Sequence, residues 1–294
     1  VTLRIAVLCS DGPHHRYLVA ALRARFEVVA VVVEPGASQL RRLRQRGAWR
    51  DYGWALYHVA RRRLLGLDRF RRAQFALPAA AAAPTGAERV VGWINDPEVA
   101  DLVAGLNPDV TVVIGTSIIR DAVLASLGPV VLNVHGGYLP DYRGNHCFFF
   151  ALYEGRFDRI GSTIHFVDRG VDTGDTVAHV IPPIRPDDNA EALYCRAEQL
   201  AIHYLVKLLE RYERTGCLPR SPQPPGGRTF RKRDRKPRHD LRLWLRRAAH
   251  RLVLPNRRSP ELRDAPAEWR PPQPPATSCH PLPKQPSAAR GAPL

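Results

Sequence analysis

Short apolar runs separated by stretches of helical spacing set the architecture of this chain. Residues 3–8, 28–33, 110–114 and 130–134 are mostly aliphatic and end in turn residues, as strands buried on both faces do. Between the first two, Leu18 and Leu22 share one helical face within residues 17–25. Residues 96–105 read as a helix with Asp96 at the N-cap and Pro97 at the first helical position. Asp188 or Asn189 caps a long helix running through Tyr212, with Leu193, Ala197, Leu200, Tyr204 and Leu208 on one face. Strand alternating with helix predicts a doubly wound α/β fold with a mostly parallel sheet. Residues 40–75 read as one or two helices that pack their aromatic residues inward, and 79–84 as a low-complexity loop.

Past Tyr212 the pattern changes. Residues 226–231 read as a return segment and 241–253 as a short basic amphipathic helix, with disorder expected after Pro255. The organisation expected is therefore one domain over 1–212, a basic appendage over 213–254 and a Pro-rich tail over 255–294. No series of alternating strands there could build a separate barrel.

Charge sharpens that division. The net +16 over 294 residues is uneven: residues 213–294 hold 19 basic against 6 acidic side chains, whereas 1–212 hold 25 against 22. Sixteen of the 27 prolines also lie beyond residue 212. Such a tail suits RNA or an acidic membrane surface, and equally a solvated terminus. Five dispersed cysteines (Cys9, Cys147, Cys195, Cys217, Cys279) include no Cys-x-x-Cys pair, which speaks for reduced thiols in a cytoplasm and against a zinc site. No uncharged apolar run of 18 residues occurs and an apolar run opens the sequence, so neither a membrane span nor a secretory signal is expected.

The chemistry gathers where strands end. Side chains two apart on a strand point the same way, so Asn133 and His135 leave the 130–134 run together. Residues 164–167 form another strand, whose exit carries Asp168, Asp172 and Asp175. A carboxylate beside a histidine holds its tautomer and stabilises the imidazolium, and an asparagine amide donates to a developing oxyanion. These are parts for acyl transfer to a nucleophile that the substrate supplies.

The same residues carry a resemblance. Asn133-Val134-His135, then Leu139-Pro140 with Arg143-Gly144, then Gly161, Thr163 and His165, then Asp168, Gly170 and Asp172 follow the ordered motifs of the 10-formyltetrahydrofolate-dependent formyltransferases. The stretch 108–209 resembles their catalytic core, which includes glycinamide ribonucleotide, methionyl-tRNA and sugar-amine formyltransferases. The resemblance implies a Rossmann-like fold, a 10-formyltetrahydrofolate co-substrate, no metal, and Asn133, His135 and Asp172 as the catalytic set. Asp172 rather than Asp168 is the match, because it lies seven residues beyond His165. It also implies that Gly115, Thr116, Ile118 and Ile119, with Val167 and Asp168, hold the pterin. For Ile118 and Ile119 a plain start to the next core helix is an equal reading. The first turn offers Ser10, Asp11, Gly12, His14 and His15 to the acceptor, joined by Arg143. Asp11 opposes a phosphate there. One departure stands out: many relatives have Pro-Ser after the histidine, where this chain has Gly136-Gly137.

His165, by contrast, reads as a packing or hydrogen-bonding residue, Asp168 and Asp175 as loop-ordering groups, and Cys147, beside three phenylalanines, as an inert buried thiol. The expected activity is formyl transfer to a small amine or amino sugar, with a nucleic-acid acceptor less favoured. Methionyl-tRNA or glycinamide ribonucleotide as acceptor, 10-formyltetrahydrofolate hydrolysis, and a catalytically silent RNA-binding protein are the rival readings.

Overall fold

The apolar runs all become strands of one sheet. The computed structural model describes residues 2–82 and 88–270. Its first half runs β1 (Arg4–Cys9), α1 (Pro13–Arg23), β2 (Glu27–Val33), α2 (Gly36–Gln45), α3 (Trp49–Leu64), α4 (Leu67–Gln74), α5 (Ala79–Ala82), β3 (Glu88–Val90), α6 (Pro97–Leu106), β4 (Val110–Ile114), α7 (Asp121–Leu124) and β5 (Val130–His135). The second half runs β6 (Tyr142–Gly144), α8 (Cys147–Glu154), β7 (Ser162–Phe166), β8 (Thr176–Ile181), α9 (Ala190–Thr215), β9 (Leu218–Arg220), β10 (Arg228–Phe230), α10 (Pro237–Ala248), β11 (Glu261–Asp264) and β12 (Ala267–Trp269).

Eight strands pair in the order β11-β8-β7-β5-β4-β1-β2-β3. The five from β5 to β3 are mutually parallel, and β7, β8 and β11 continue the sheet antiparallel. One face is covered by α1 and α9, through Leu18, Leu22, Ala201 and Leu205. The other is covered by α6 and α7, through Val99, Val103 and Val123. The chain builds β2 and β3 on one side of β1, then returns to add β4 and β5 on the other. That reversal opens a crevice at the carboxyl ends of β1 and β4, where ligands of doubly wound sheets bind.

Asn189 caps α9 with its side chain, accepting from the backbone N–H groups of Glu191 and Ala192 at 2.9 Å each. Asp96 stands at the N-cap position of α6 without a side-chain capping bond. Three helices rather than one or two occupy 36–74. Their aromatics are only partly inward: Tyr52 and Trp54 are half-buried, and Trp49 is 63% exposed. Residues 79–82 are a short helix rather than loop, and 83–87 lie outside the described residues.

The largest difference from expectation concerns the carboxyl-terminal stretch. Composition predicts disorder from 255 onward, yet β11 pairs antiparallel with β8 and β12 with β9. β8 is a sheet edge that a returning chain can pair, and a strand needs backbone hydrogen bonds more than apolar content to add there. The expected helix at 241–253 starts and ends earlier, as α10. β10 pairs in parallel with β6, so residues 213–254 pack against the turn that follows Asn133 and His135. Residues 271–294, with Cys279 and the rest of the Pro-rich tail, lie outside the described residues.

Candidate active site

The register of two antiparallel strands brings the first residues together. Asn133 of β5 pairs with His165 of β7, and His135 with Thr163. Asn133 Nδ2 lies 3.0 Å from His165 Nε2 and 3.4 Å from Asp172 Oδ1. His165 Nδ1 donates to the Phe166 carbonyl at 2.7 Å, which leaves Nε2 as the acceptor for that amide. One amide hydrogen of Asn133 thereby goes to His165, and the other makes the longer 3.4 Å contact to Asp172 Oδ1, the weaker of the two and the one a ligand could compete for. His165 is thus a buried orienting residue, as its strand position suggests.

Asp172 lies at the centre. Its Oδ2 accepts from the Gly144 N–H at 2.8 Å and faces His135 Nδ1 at 3.4 Å; its Oδ1 is 3.6 Å from His165 Nε2. Its backbone adopts φ 53°, the left-handed region, at a cost of roughly 1–2 kcal/mol for a side-chain-bearing residue. Arg143 Nε and Gln223 Nε2 both donate to its carbonyl, at 3.2 and 3.0 Å, and hold it there. Burial alone would raise this carboxyl. A proton shared with His135 or His165, together with the Gly144 N–H, outweighs burial and holds it well below the usual carboxylate range.

His135 is buried and its tautomer follows from geometry. Nε2 donates to the Tyr142 carbonyl at 2.9 Å, so in the neutral ring the lone pair is on Nδ1, toward Asp172. Burial lowers its pKa, with Asp172 working against that trend. At neutral pH the arrangement is a neutral imidazole beside an ionised carboxylate, ready to take one proton between them. Cys147 Sγ is 3.6 Å from Nε2, and burial pushes that thiol well above its ordinary range, so it is inert as a nucleophile.

These groups open on a cavity of about 800 Å³. The sheet's two faces supply it with different walls. On the α6/α7 side stand Val113, Gly115, Ile118, Ile119, Val167 and Asp168. The 115–119 loop there is fixed by a residue sequence reasoning passed over. Buried Glu34, at the exit of β2, accepts from Ser117 N at 2.7 Å and Ser117 Oγ at 3.0 Å. Gly115, at φ 68°, has His15 packed so closely that any Cβ would lie 2.4 Å from its Nε2. Both isoleucines line the cavity, but Ile118 is 63% exposed while Ile119 is buried and also packs into the core beside α6 and α7. Asp168 lines the cavity, but its carboxylate is engaged by Thr173 Oγ1 and the Gly170 N–H, a loop-ordering role.

The α1/α9 side differs from expectation. His14 and His15 line the cavity, but Ser10, Asp11 and Gly12 do not. Asp11 Oδ1 instead accepts from Gly36 N at 3.0 Å and Gly12 N donates to His15 Nδ1, so the first turn spends its polar groups on itself. Arg143 also turns away. Its three nitrogens donate to Asp172 and Gly226 carbonyls and to Gln223 Oε1, which makes it a loop anchor rather than a cavity residue. In their place the wall carries Arg61, Arg62, Arg71, Lys232 and Arg235, with His58 and His146, whose ring centroids lie 4.3 Å apart. Asp240 pairs with both Arg61 and Arg235, Asp68 with Arg62 and Glu191 with Arg71. Among the described residues no carboxylate pairs with Lys232. It is accessible to water yet ringed by protein, and that enclosure, with Arg62 nearby, lowers its pKa. The signal available in sequence was the arginine-rich 40–75 stretch together with the basic 231–238 run.

The Gly136-Gly137 turn has a steric reason. A Cβ on Gly137 would meet His135 Nε2 at 2.5 Å, the Tyr142 carbonyl oxygen at 2.6 Å and Cys147 Cβ at 2.7 Å. A Cβ on Gly136 would meet Tyr194 Cε2 at 3.0 Å and Glu198 Oε1 at 3.4 Å. Helix α9 presses Tyr194 and Glu198 against this turn.

Residues 60–209, about half of the chain, match the family model described as formyl transferase. The chain belongs to the formyltransferase family. It is 33% identical over 118 residues to the methionyl-tRNA formyltransferase of Chlorobium chlorochromatii, covering 40% of this chain and 37% of that one. It is 34% identical over 134 residues to that of Syntrophus aciditrophicus, covering 44% and 41%. The match spans about two-fifths of the length of these relatives. The fold is shared with an N-formyltransferase from Helicobacter canadensis solved with folinic acid and dTDP-3-aminofucose, at TM-score 0.51 and 16% identity over 79% of this chain and 72% of that one. It is also shared with a likely sugar N-formyltransferase from Mycobacterium tuberculosis, at TM-score 0.50 and 18% identity over 79% and 76%. Asn133, His135 and Asp172 all fall inside the matched 60–209 segment. Among the described residues no helix is long and apolar enough to cross a membrane, and no cluster of three His, Cys, Asp or Glu side chains suits a metal ion.

Proposed function

We propose that this formyltransferase-family protein moves the formyl group of 10-formyltetrahydrofolate onto the amine of a small metabolite or amino sugar, in the cytoplasm and without a metal. The observation that carries the reading is the convergence of Asn133, His135 and Asp172 on one cavity with an apolar wall on one side and a basic wall on the other. The apolar wall, with Val113, Ile118, Val167 and the backbone of the 115–119 loop, suits a flat pterin. The solved neighbour from Helicobacter canadensis holds folinic acid, which supports the folate assignment.

In this mechanism the acceptor nitrogen attacks the formyl carbon. Asn133 turns the amide N–H that now faces Asp172 Oδ1 at 3.4 Å to the oxygen that becomes negative. His135 Nδ1 takes up a proton as the tetrahedral species forms, and the imidazolium joins Asn133 in stabilising the oxyanion. Asp172, ionised and fixed by Gly144, stabilises that imidazolium. Collapse of the tetrahedral species breaks the C–N10 bond, N10 takes back the proton held by His135, and tetrahydrofolate leaves.

The basic wall bears on the acceptor. Asp11 was the residue opposing an anionic acceptor, and it does not line the cavity. Lys232, with Arg61, Arg62 and Arg235, supports an acceptor that carries a phosphate or comparable anion some distance from its amine. The catalytic unit then extends at least to Arg235, because Lys232 and Arg235 line the cavity. Incubating the protein with 10-formyltetrahydrofolate and a cell extract, then identifying formylated amines by mass spectrometry, tests both points. A formylated amine bearing an anionic group is expected. Formate release with no formylated product would make the protein a hydrolase and overturn the transferase reading.

A further inference from the structure

A carboxyl group that the mechanism above leaves unused stands in the floor of the same cavity. Glu198, on α9, is 1% exposed and lines the cavity beside Tyr194. Its Oε1 accepts from Ser162 Oγ at 2.9 Å. Among the described residues its Oε2 has no partner, and no lysine or arginine forms an ion pair with it. Residue 136, immediately after His135, is the glycine that faces it: a Cβ there would already sit 3.4 Å from Oε1. With no side chain at 136, that residue leaves the Glu198 carboxyl uncovered on its side, and both residues line the cavity that His135 also lines.

An unpaired acid in the core of a helix–sheet interface is costly. Along α9 the positions 198, 201 and 205 form one buried stripe, continued by half-buried Tyr194, and a glutamine or methionine at 198 would fill the same volume without charge. The groups that face Glu198 are few. Tyr194 and Cys195 lie on α9 itself, Ser162 on β7, and Arg71 on α4, where it is already paired with Glu191. From α1, His14 reaches Tyr194 with ring centroids 5.7 Å apart. Burial pushes the carboxyl up to about 7, with Ser162 and Arg71 pulling only weakly the other way. It therefore exchanges its proton in the range where the enzyme would work.

We propose that Glu198 binds the acceptor as its ammonium ion and takes one proton from it, delivering the free amine to the formyl carbon. This rests on the formyl-transfer reading above and adds its first proton step. The ammonium nitrogen gives up one N–H proton to Oε2; the N–H bond breaks, an O–H bond forms, and the nitrogen keeps the electron pair that attacks. The products of the step are a neutral amine and a neutral carboxylic acid. Alkylammonium ions normally hold their proton to about pH 10. In a dry pocket the neutral pair is favoured over the ion pair, because desolvation penalises both charges at once. His135 is left to receive the second proton, the one released when the new C–N bond forms. Glu198 and His135, on either side of Gly136, thus divide two deprotonations that one base would otherwise perform in turn.

The test uses the full chain and methylammonium as the probe, with no folate present. Carbon-13 labelling of glutamate, with Glu198→Gln to identify the resonance, gives the titration of Glu198 by NMR. Methylammonium at millimolar concentrations should shift that titration by half a pH unit or more, whereas tetramethylammonium, which has no N–H to give, should not. Equal shifts with the two ions, or none with either, would overturn the proposal. Folinic acid binding to wild type and Glu198→Gln, measured separately by calorimetry, should be the same within twofold. Failure of wild type to bind folinic acid would strike the formyl-transfer reading while leaving the methylammonium result to be judged by itself. Once an acceptor is known, Glu198→Gln should lose at least tenfold in kcat/KM with it and much less with an analogue whose amine is unprotonated at neutral pH. An equal loss with both would reduce Glu198 to a structural role.

Discussion

Two buried carboxyls share one cavity and are driven in opposite directions. Asp172 is surrounded by His135 and His165 and receives the Gly144 N–H, so it stays ionised far below the usual range. Glu198 receives a single serine hydroxyl, has no cation of its own, and is raised to about 7. Burial acts on both in the same sense. The number of donors decides the sign, and a pair of acids split in this way is how one site holds a permanent anion and an exchangeable proton together. Only one of them stands on a strained backbone: Asp172, at φ 53°.

Removing the ionised side of the pair has the largest expected effect. His135→Ala and Asp172→Ala should each lower formyl transfer by roughly a hundredfold or more, the scale of a general acid/base or oxyanion group, with the fold intact by circular dichroism. Near-normal turnover in the His135 variant would sink the mechanism. The pH slopes of stability carry the same contrast. Asp172 has a depressed pKa, so its contribution is present above its unfolded value near 4 and is lost as pH falls. Asp172→Asn should therefore flatten the acid limb of the stability curve.

Glu198 should slope the other way. Its folded pKa exceeds the unfolded value of 4.5, so between about 4.5 and 7 the folded state binds the extra proton and stability falls as pH rises. At about 1.4 kcal/mol per unit, the loss by pH 8 is up to about 3 kcal/mol. Glu198→Gln keeps the shape and the Ser162 contact, and should raise the melting temperature at pH 8 while leaving it nearly unchanged at pH 4. A variant less stable than wild type at pH 8 would show that Glu198 is not the strained partner of this comparison.

The two carboxyls were not equally legible in the sequence. Asp172 belongs to a run of ordered motifs, and strand alternation alone aligns Asn133 with His135. The mostly parallel sheet was legible for the same reason, since aliphatic runs such as 110–114 leave few other choices. Glu198 lay in plain view as one acid in an apolar helical stripe, the signal that would have found it, but its meaning depends on Gly136, 62 positions earlier. The first turn misled because Ser10, Asp11 and Gly12 have ligand-binding chemistry and their use depends on Gly36 and His15, which only the fold brings near. The same limit explains the tail: β11 is specified by the free edge of β8 more than by anything in residues 261–264.

The glycine pair between the two carboxyls allows finer tests. Gly137→Ala drives a Cβ against His135, the Tyr142 carbonyl and Cys147, all within 2.7 Å, and two of these are backbone or Cβ atoms that cannot swing aside. It should cost about 1–3 kcal/mol of stability and lower turnover with every acceptor amine, because it displaces the imidazole. Unchanged turnover with lowered stability would separate the turn from the position of His135.

Gly136→Ala should have the smallest effect and the most selective one. Its Cβ would approach Tyr194 Cε2 to 3.0 Å and Glu198 Oε1 to 3.4 Å, contacts that small side-chain shifts relieve. Stability should fall by about 1 kcal/mol or less. Outside its chain neighbours that Cβ meets Tyr194 and Glu198 first, so folate binding and the pH dependence set by Asp172 should stay as in wild type. The approach to the Glu198 carboxyl on its Oε1 side narrows instead, and the loss should appear chiefly in KM for amines that arrive protonated. Measuring KM for one acceptor across roughly pH 6 to 9, a range that spans the Glu198 titration, separates the outcomes. A defect that shrinks as the amine deprotonates places the effect on the Glu198 side. A defect constant across that range would mean that residue 136 acts on His135 after all, and that the two carboxyls are not independently addressed.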